Sequence, residues 1–191
     1  MKIFGIDPGS ERTGYGCVET DGGTTRLVMC GAISARPGDA FPQRLARIHR
    51  VLSLLLSRCA PDCVAIENVF HAVNVRSALK LGHARGVAML AAVEAGCPVA
   101  EYAPTEIKRS VVGYGRADKH QVQQMIKLLL GLDQLPSPHD AADALAVAIC
   151  HLHSLPSYVG TDTAVSGYAS PALPSRPQPK NWRQYRPPTT G

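Results

Sequence analysis

Lys2-Ile3-Phe4-Gly5-Ile6-Asp7-Pro8-Gly9-Ser10 reads as a short apolar strand that ends on a carboxylate and breaks at a Pro-Gly turn. A second apolar run, Cys63-Val64-Ala65-Ile66, also ends on an acid, Glu67. Asp140 and Asp143 stand three apart at the start of an Ala-rich helical stretch, so they share one helix face. A carboxylate at the end of a buried strand is costly unless a cation meets it. Four brought together would repel one another unless divalent metal ions sat between them. The pattern points to metal-assisted phosphodiester hydrolysis.

After residues 2–7, strands are expected near 13–20 and 25–33, joined by the turn Asp21-Gly22-Gly23-Thr24 as a hairpin. From Pro42 to Cys59, Leu45, Ile48, Leu52 and Leu55 keep helical spacing, with Arg44, Arg47 and Arg50 interleaved; Pro61 closes the helix and strand 63–67 follows. A long helix is expected over 74–95, where Gly82 and Gly86 suggest close packing against a neighbour. A strand at 99–102, a short helix from Pro104, a helix capped by Asp118 and a last helix near 139–153 complete the reading. The core stripe of the Asp118-capped helix is Val122, Met125, Ile126 and Leu129, with Gly131 as its stop. A hairpin followed by right-handed crossovers gives an α/β fold: a mixed five-stranded sheet with helices on both faces. In that topology the ends of the first and fourth strands are neighbours, and the last helix can bring Asp140 and Asp143 to them.

Residues 1–154 form the expected nuclease domain. The stretch 155–191 holds seven of the fifteen prolines and is basic through Arg176, Lys180, Arg183 and Arg186, so it is expected to be a disordered tail. A net charge of +5 and a pI near 9.0 favour a polyanionic partner, with the positive charge lying around the acids and not among them. The six cysteines form no CxxC pair and are expected to be reduced and used as small hydrophobes. Neither a signal peptide nor an apolar run long enough to span a membrane is visible, so a soluble, cytoplasmic protein is expected.

Gly5-Ile6-Asp7-Pro8-Gly9-Ser10, Thr13-Gly14-Tyr15-Gly16 and Ala65-Ile66-Glu67-Asn68-Val69-Phe70 together resemble the RuvC family of Holliday-junction resolvases. So do Ser77-Ala78-Leu79-Lys80-Leu81-Gly82, Ala84-Arg85-Gly86-Val87-Ala88, Val111-Val112-Gly113 and Asp140-Ala141-Ala142-Asp143-Ala144-Leu145-Ala146, in this order from Met1 to about His153. The resemblance implies a ribonuclease-H-like fold, a homodimer, and magnesium-dependent symmetric nicking of two strands of like polarity in a four-way DNA junction. It also implies work in recombination and repair beside a branch-migration helicase complex. The family's catalytic, metal-holding acids fall on Asp7, Glu67, Asp140 and Asp143; some relatives carry histidine at the position of Asp140.

Two Mg²⁺ ions per site, ~3.5–4 Å apart, suit this chemistry, with Mn²⁺ as a substitute, and both prefer oxygen ligands. Asp7 is the expected bridging ligand. Lys108 and Lys119 match basic positions near the scissile phosphate in the family. Phe70 either stacks on an unpaired base at the crossover or packs on the sheet. Arg76, Lys80 and Arg85 are phosphate contacts or simply a charged helix face. His139 either positions water or a phosphate or is an exposed neighbour of the helix cap. His151 and His153 do not share a helix face, which argues against a zinc pair. Gly9, Gly14 and Gly16 do not spell a phosphate loop and are read as turn residues. A sugar-kinase-like ATPase needs two phosphate-loop halves that this chain lacks; a non-catalytic DNA-binding module would leave the acids dispensable.

Overall fold

The computed structural model describes residues 1–68 and 74–155. The hairpin expected from the turn at Asp21 is present, as β2 (Arg12–Asp21) and β3 (Thr24–Ser34), beside β1 (Lys2–Asp7). Helix α1 (Phe41–Cys59) leads to β4 (Cys63–Glu67), and α2 (Val75–Glu94) to β5 (Val99–Tyr102). Three helices follow: α3 (Pro104–Val112), α4 (Lys119–Leu129) and α5 (His139–Ser154). The sheet order is β3-β2-β1-β4-β5. β1 pairs antiparallel with β2 and parallel with β4, and β4 pairs parallel with β5. This is the mixed five-stranded, ribonuclease-H-like arrangement expected from the sequence. The expected tail, residues 155–191, lies outside the described residues except for Leu155.

Side-chain alternation along β1 and β4 divides the core in two. Phe4 and Ile6 of β1, with Val64 and Ile66 of β4, face α1 and α2, where Ile48, Leu52, Leu56, Ala84, Ala88 and Ala91 complete one apolar layer. Ile3 and Ala65 point the other way, toward α3, α4 and the Ala-rich α5. Helices therefore cover both faces. By the same alternation Asp7 and Glu67 emerge on the α5 side. β1 and β4 are in register at Ile6↔Ile66, so the two acids follow on adjacent strands one residue later.

Glycines set how closely α5 approaches. Gly5 and Gly16 are cross-strand partners, as are Asp7 and Gly14. A Cβ on Gly5 would collide with the Ala144 carbonyl, one on Gly14 with the Asp140 carbonyl, and one on Gly16 would come within 2.7 Å of Leu145. Gly14 and Gly16 are thus mid-strand residues that make room for a helix, not the turn residues the sequence suggested; Gly9 does sit in a tight turn against Arg12. The Ala-rich composition of α5 has the same cause, since Ala144 and Ala148 rest directly over Gly5.

Two further expectations change. Gly82 and Gly86 of α2 face open space, with no neighbour that a Cβ would meet. On α4, Leu129 is 40% exposed and Leu130, just past the helix end, takes the core position instead, while Val122 and Ile126 are buried as expected. Asp118 does cap α4, accepting from the Gln121 N–H at 2.9 Å, and Gly131 follows with φ +59°. All six cysteines are free thiols; Cys17, Cys59 and Cys150 are buried. Among the described residues no helix is long and apolar enough to cross a membrane.

Candidate active site

Three of the four expected acids open onto one hollow of about 260 Å³, lined by Asp7, Glu67 and Asp143 together with Lys108 and Lys119. Asp7 and Glu67 arrive from the ends of β1 and β4, and Asp143 from the first turns of α5, which the glycine floor lets descend to that depth. Burial drives the Asp7 carboxyl up to about 9, helped by the negative charge of Glu67 and then of Asp143 and Asp140. Asp7 consequently keeps its proton at neutral pH and hydrogen-bonds through it to the Glu67 carboxylate, which accepts. Burial also raises Glu67, against the hydrogen bond from Asp7 and the positive charges of Lys119 and Lys108.

The remaining acids are met by cations. Lys119 Nζ donates to Asp143 Oδ2 at 3.1 Å, and that contact holds the ammonium above its ordinary range. Asp140 turns away from the hollow: its Oδ2 lies 3.5 Å from Arg12 Nη1, and it borders a second hollow on the β2–β3 side. The cause is helical geometry. Residues three apart sit about 60° around and ~4.5 Å along the axis, enough to look onto different spaces. Among the described residues no three acidic, histidine or cysteine side chains already stand as a metal cage. Asp7, Asp143 and Asp140 are instead satisfied by Glu67, Lys119 and Arg12.

The donor set nonetheless suits a hard divalent cation. The hollow offers carboxylate oxygens with no histidine or sulfur ligand, and burial has left two of its acids above their ordinary range. A divalent ion would displace the shared proton and relieve the repulsion that raises Asp7.

The other expected residues are distributed more widely. Lys108 and Lys119 do border the carboxylates. Arg85 donates through Nε to Glu101 Oε1 at 2.8 Å. Lys80 lies over the Phe41 ring, 5.8 Å from its centre, and Arg76 is exposed near the start of α2. Phe70 lies outside the described residues. His139 is exposed and accepts from Gln123, a buried side chain, so it ties α5 to α4. His151 and His153 are bonded separately, to Tyr102 at 2.7 Å and to Ser110 at 3.2 Å. Arg12, the partner of Asp140, was not singled out from the sequence. The only signal for it is its place five residues after Asp7, just past the turn.

Comparison with known proteins agrees with this arrangement. The family model described as crossover junction endodeoxyribonuclease RuvC matches residues 3–151. A Koribacter versatilis protein of that name is 53% identical over 155 residues, covering 81% of this chain and 93% of the relative. One from Chloroflexus aggregans is 50% identical over 157 residues, covering 82% and 96%. The structure of T. thermophilus RuvC in complex with a Holliday junction substrate superposes with a TM-score of 0.76 at 37% identity, over 80% of this chain and 93% of that one. A sheet that ends two strands on acids, a glycine floor beneath an acidic helix, and a match spanning 149 of 191 residues lead to one conclusion. This chain belongs to the RuvC family.

Proposed function

We propose that this chain is an endodeoxyribonuclease that resolves four-way DNA junctions by metal-dependent, symmetric nicking of two strands of like polarity, in recombination and repair. The observation that carries the reading is the convergence of Asp7, Glu67 and Asp143 in one hollow, where burial keeps Asp7 protonated. Asp7, Glu67 and Asp143 would hold the cations, Mg²⁺ or in its place Mn²⁺, with Asp140 joining once freed from Arg12. Bound there, the ions supply the charge that activates a water for attack on phosphorus and stabilises the leaving oxygen.

The chain's own groups do the rest. Asp7 would release its proton to solvent on cation binding and so become a full anion between β1 and β4. Lys119 and Lys108 face the position of the scissile phosphate and neutralise charge that builds on it. Lys119 also fixes Asp143 in place before substrate arrives.

Paired nicks need two sites related by a twofold axis, so the working form is a homodimer. Its interface is α2. Val75, Leu79, Leu90 and Val93 are 77%, 60%, 50% and 65% exposed, and they fall with Gly82 and Gly86 within one face of the helix. The glycines leave room for a second helix to approach closely. Phe70, Arg76 and Lys80 would meet DNA, and Arg85 would do so only by leaving Glu101. A branch-migration helicase complex as partner and a cytoplasmic location follow from the same family reading.

The test is incubation of the purified protein with a synthetic four-way junction and a linear duplex of the same sequence, with Mg²⁺ and with a chelator. Paired nicks in the junction with Mg²⁺ alone are expected, and the duplex should stay intact. Equal cutting of both substrates, or cutting in chelator, would contradict the proposal.

A further inference from the structure

The hollow beyond Asp140 is larger than the acidic one, about 560 Å³, and three arginines line it: Arg12, Arg36 and Arg44. Its acids are Glu11 and Asp140. We propose that this groove is a second backbone-binding track, which grips phosphates of the cleaved strand next to the catalytic acids. The inference rests on the function proposed above and assigns DNA contacts to residues on the opposite side of Asp140 from Lys108 and Lys119.

Four observations support it. First, Asp140 borders this groove while Asp143, one turn on, borders the acidic hollow, so the two spaces meet along the start of α5. A strand whose scissile phosphate lies at Asp7 and that runs past the start of α5 would place the phosphates of one flank on that side. Second, Arg44 is anchored in advance: its Nε donates to the Asp39 carbonyl at 3.0 Å, which fixes the guanidinium plane and leaves the fork's outer nitrogens for a ligand. Third, the competing carboxylates hold these arginines weakly. Glu11 lies 3.9 Å from Arg44 and is 85% exposed, and Asp140 lies 3.5 Å from Arg12, itself 55% exposed. Pairs of this kind contribute little, so phosphate displaces them readily. Fourth, Arg36 is exposed and makes no ion pair among the described residues. Were Asp140 to turn to a cation, Arg12 would be released to the same groove.

The experiment is junction binding by fluorescence anisotropy in chelator, across a salt series, for wild type, Arg36→Ala, Arg44→Lys and the control Arg58→Ala. Arg58 is exposed in the last turn of α1. That turn lies beside Lys2, at the end of β1 opposite Asp7. The control therefore removes equal charge far from the groove. Arg36→Ala should weaken binding about 5–10-fold and flatten the log K against log [salt] slope by about one, the signature of one lost phosphate contact. Arg44→Lys keeps the charge but loses the fork, so it should weaken binding with little change of slope. Arg58→Ala should match wild type. Identical slopes and affinities for Arg36→Ala and Arg58→Ala would overturn the groove while leaving the proposed activity intact. Equal cutting of the four-way junction and the linear duplex by wild type with Mg²⁺ would overturn the activity itself, whatever the variants do, and the groove proposal with it.

Discussion

At the residue scale the decisive group is Asp7, whose carboxyl is forced to keep a proton. Its ordinary value is 3.8 and burial beside Glu67 moves it to about 9. Above pH 3.8 the unfolded chain has lost this proton and the folded chain has not. In chelator, the stability that this group contributes should therefore be fully present below 3.8 and be lost as pH rises toward 9, so wild type should lose stability relative to Asp7→Asn over that range. Asp7→Asn removes the titration. Its melting temperature in chelator at pH 7 should exceed that of wild type by ~2–4 °C for each kcal/mol of relieved strain, while cleavage is abolished and junction binding persists. Retained cleavage, or a lowered melting temperature, would contradict this account of Asp7. Lys119→Ala should slow cleavage by about 10²-fold, as loss of one preorganised charge at a reacting phosphate typically does; single-turnover kinetics on a junction measure it. An effect on binding alone would place Lys119 outside the chemistry.

At the element scale, the contact of α5 with the sheet positions the acids, and it depends on Gly5, Gly14 and Gly16. Gly5→Ala drives a methyl into the Ala144 carbonyl and should cost ~2–3 kcal/mol or more by chemical denaturation. Gly82→Ala on α2 meets nothing and should raise the stability of the isolated chain by up to ~1 kcal/mol. Similar effects for the two would refute the glycine floor. This contact also marks how far the sequence could be read. Strand and helix identities were legible because periods of two and 3.6 run unbroken between Gly and Pro punctuation, and the adjacency of Asp7 and Glu67 followed from topology. The tasks of Gly14 and Gly16 were not, because a glycine looks the same in sequence whether it permits a turn or a close approach. Leu129 and Leu130 were exchanged for a similar reason: apolar spacing continues past a helix end where the backbone direction does not. The separation of Asp140 from Asp143 was hidden because sharing a helix face does not mean sharing a cavity. Arg12, from a different strand, decides the matter.

At the scale of the whole molecule, a chain of net charge +5 carries its acids in a basic surround that includes Lys108, Lys119, Arg12, Arg36 and Arg44. That arrangement draws a polyanion toward a site that a lone acidic cluster would repel. The exposed apolar face of α2 is the surface on which the proposed pairing of two such sites would rest. Leu79→Glu combined with Leu90→Glu should convert a dimer into a monomer in sedimentation velocity and abolish paired nicking. A variant that remains dimeric would move the interface elsewhere.

If Asp7, Glu67 and Asp143 share divalent cations, anomalous diffraction from crystals grown with Mn²⁺ will locate them. The expected result is strong density in the hollow between β1, β4 and α5, with carboxylate oxygens of Asp7 and Glu67 at about 2.1–2.2 Å, near the distances hard divalent ions adopt. Saturating Mn²⁺ with no density there, and Asp7 still bonded to Glu67, would contradict that sharing.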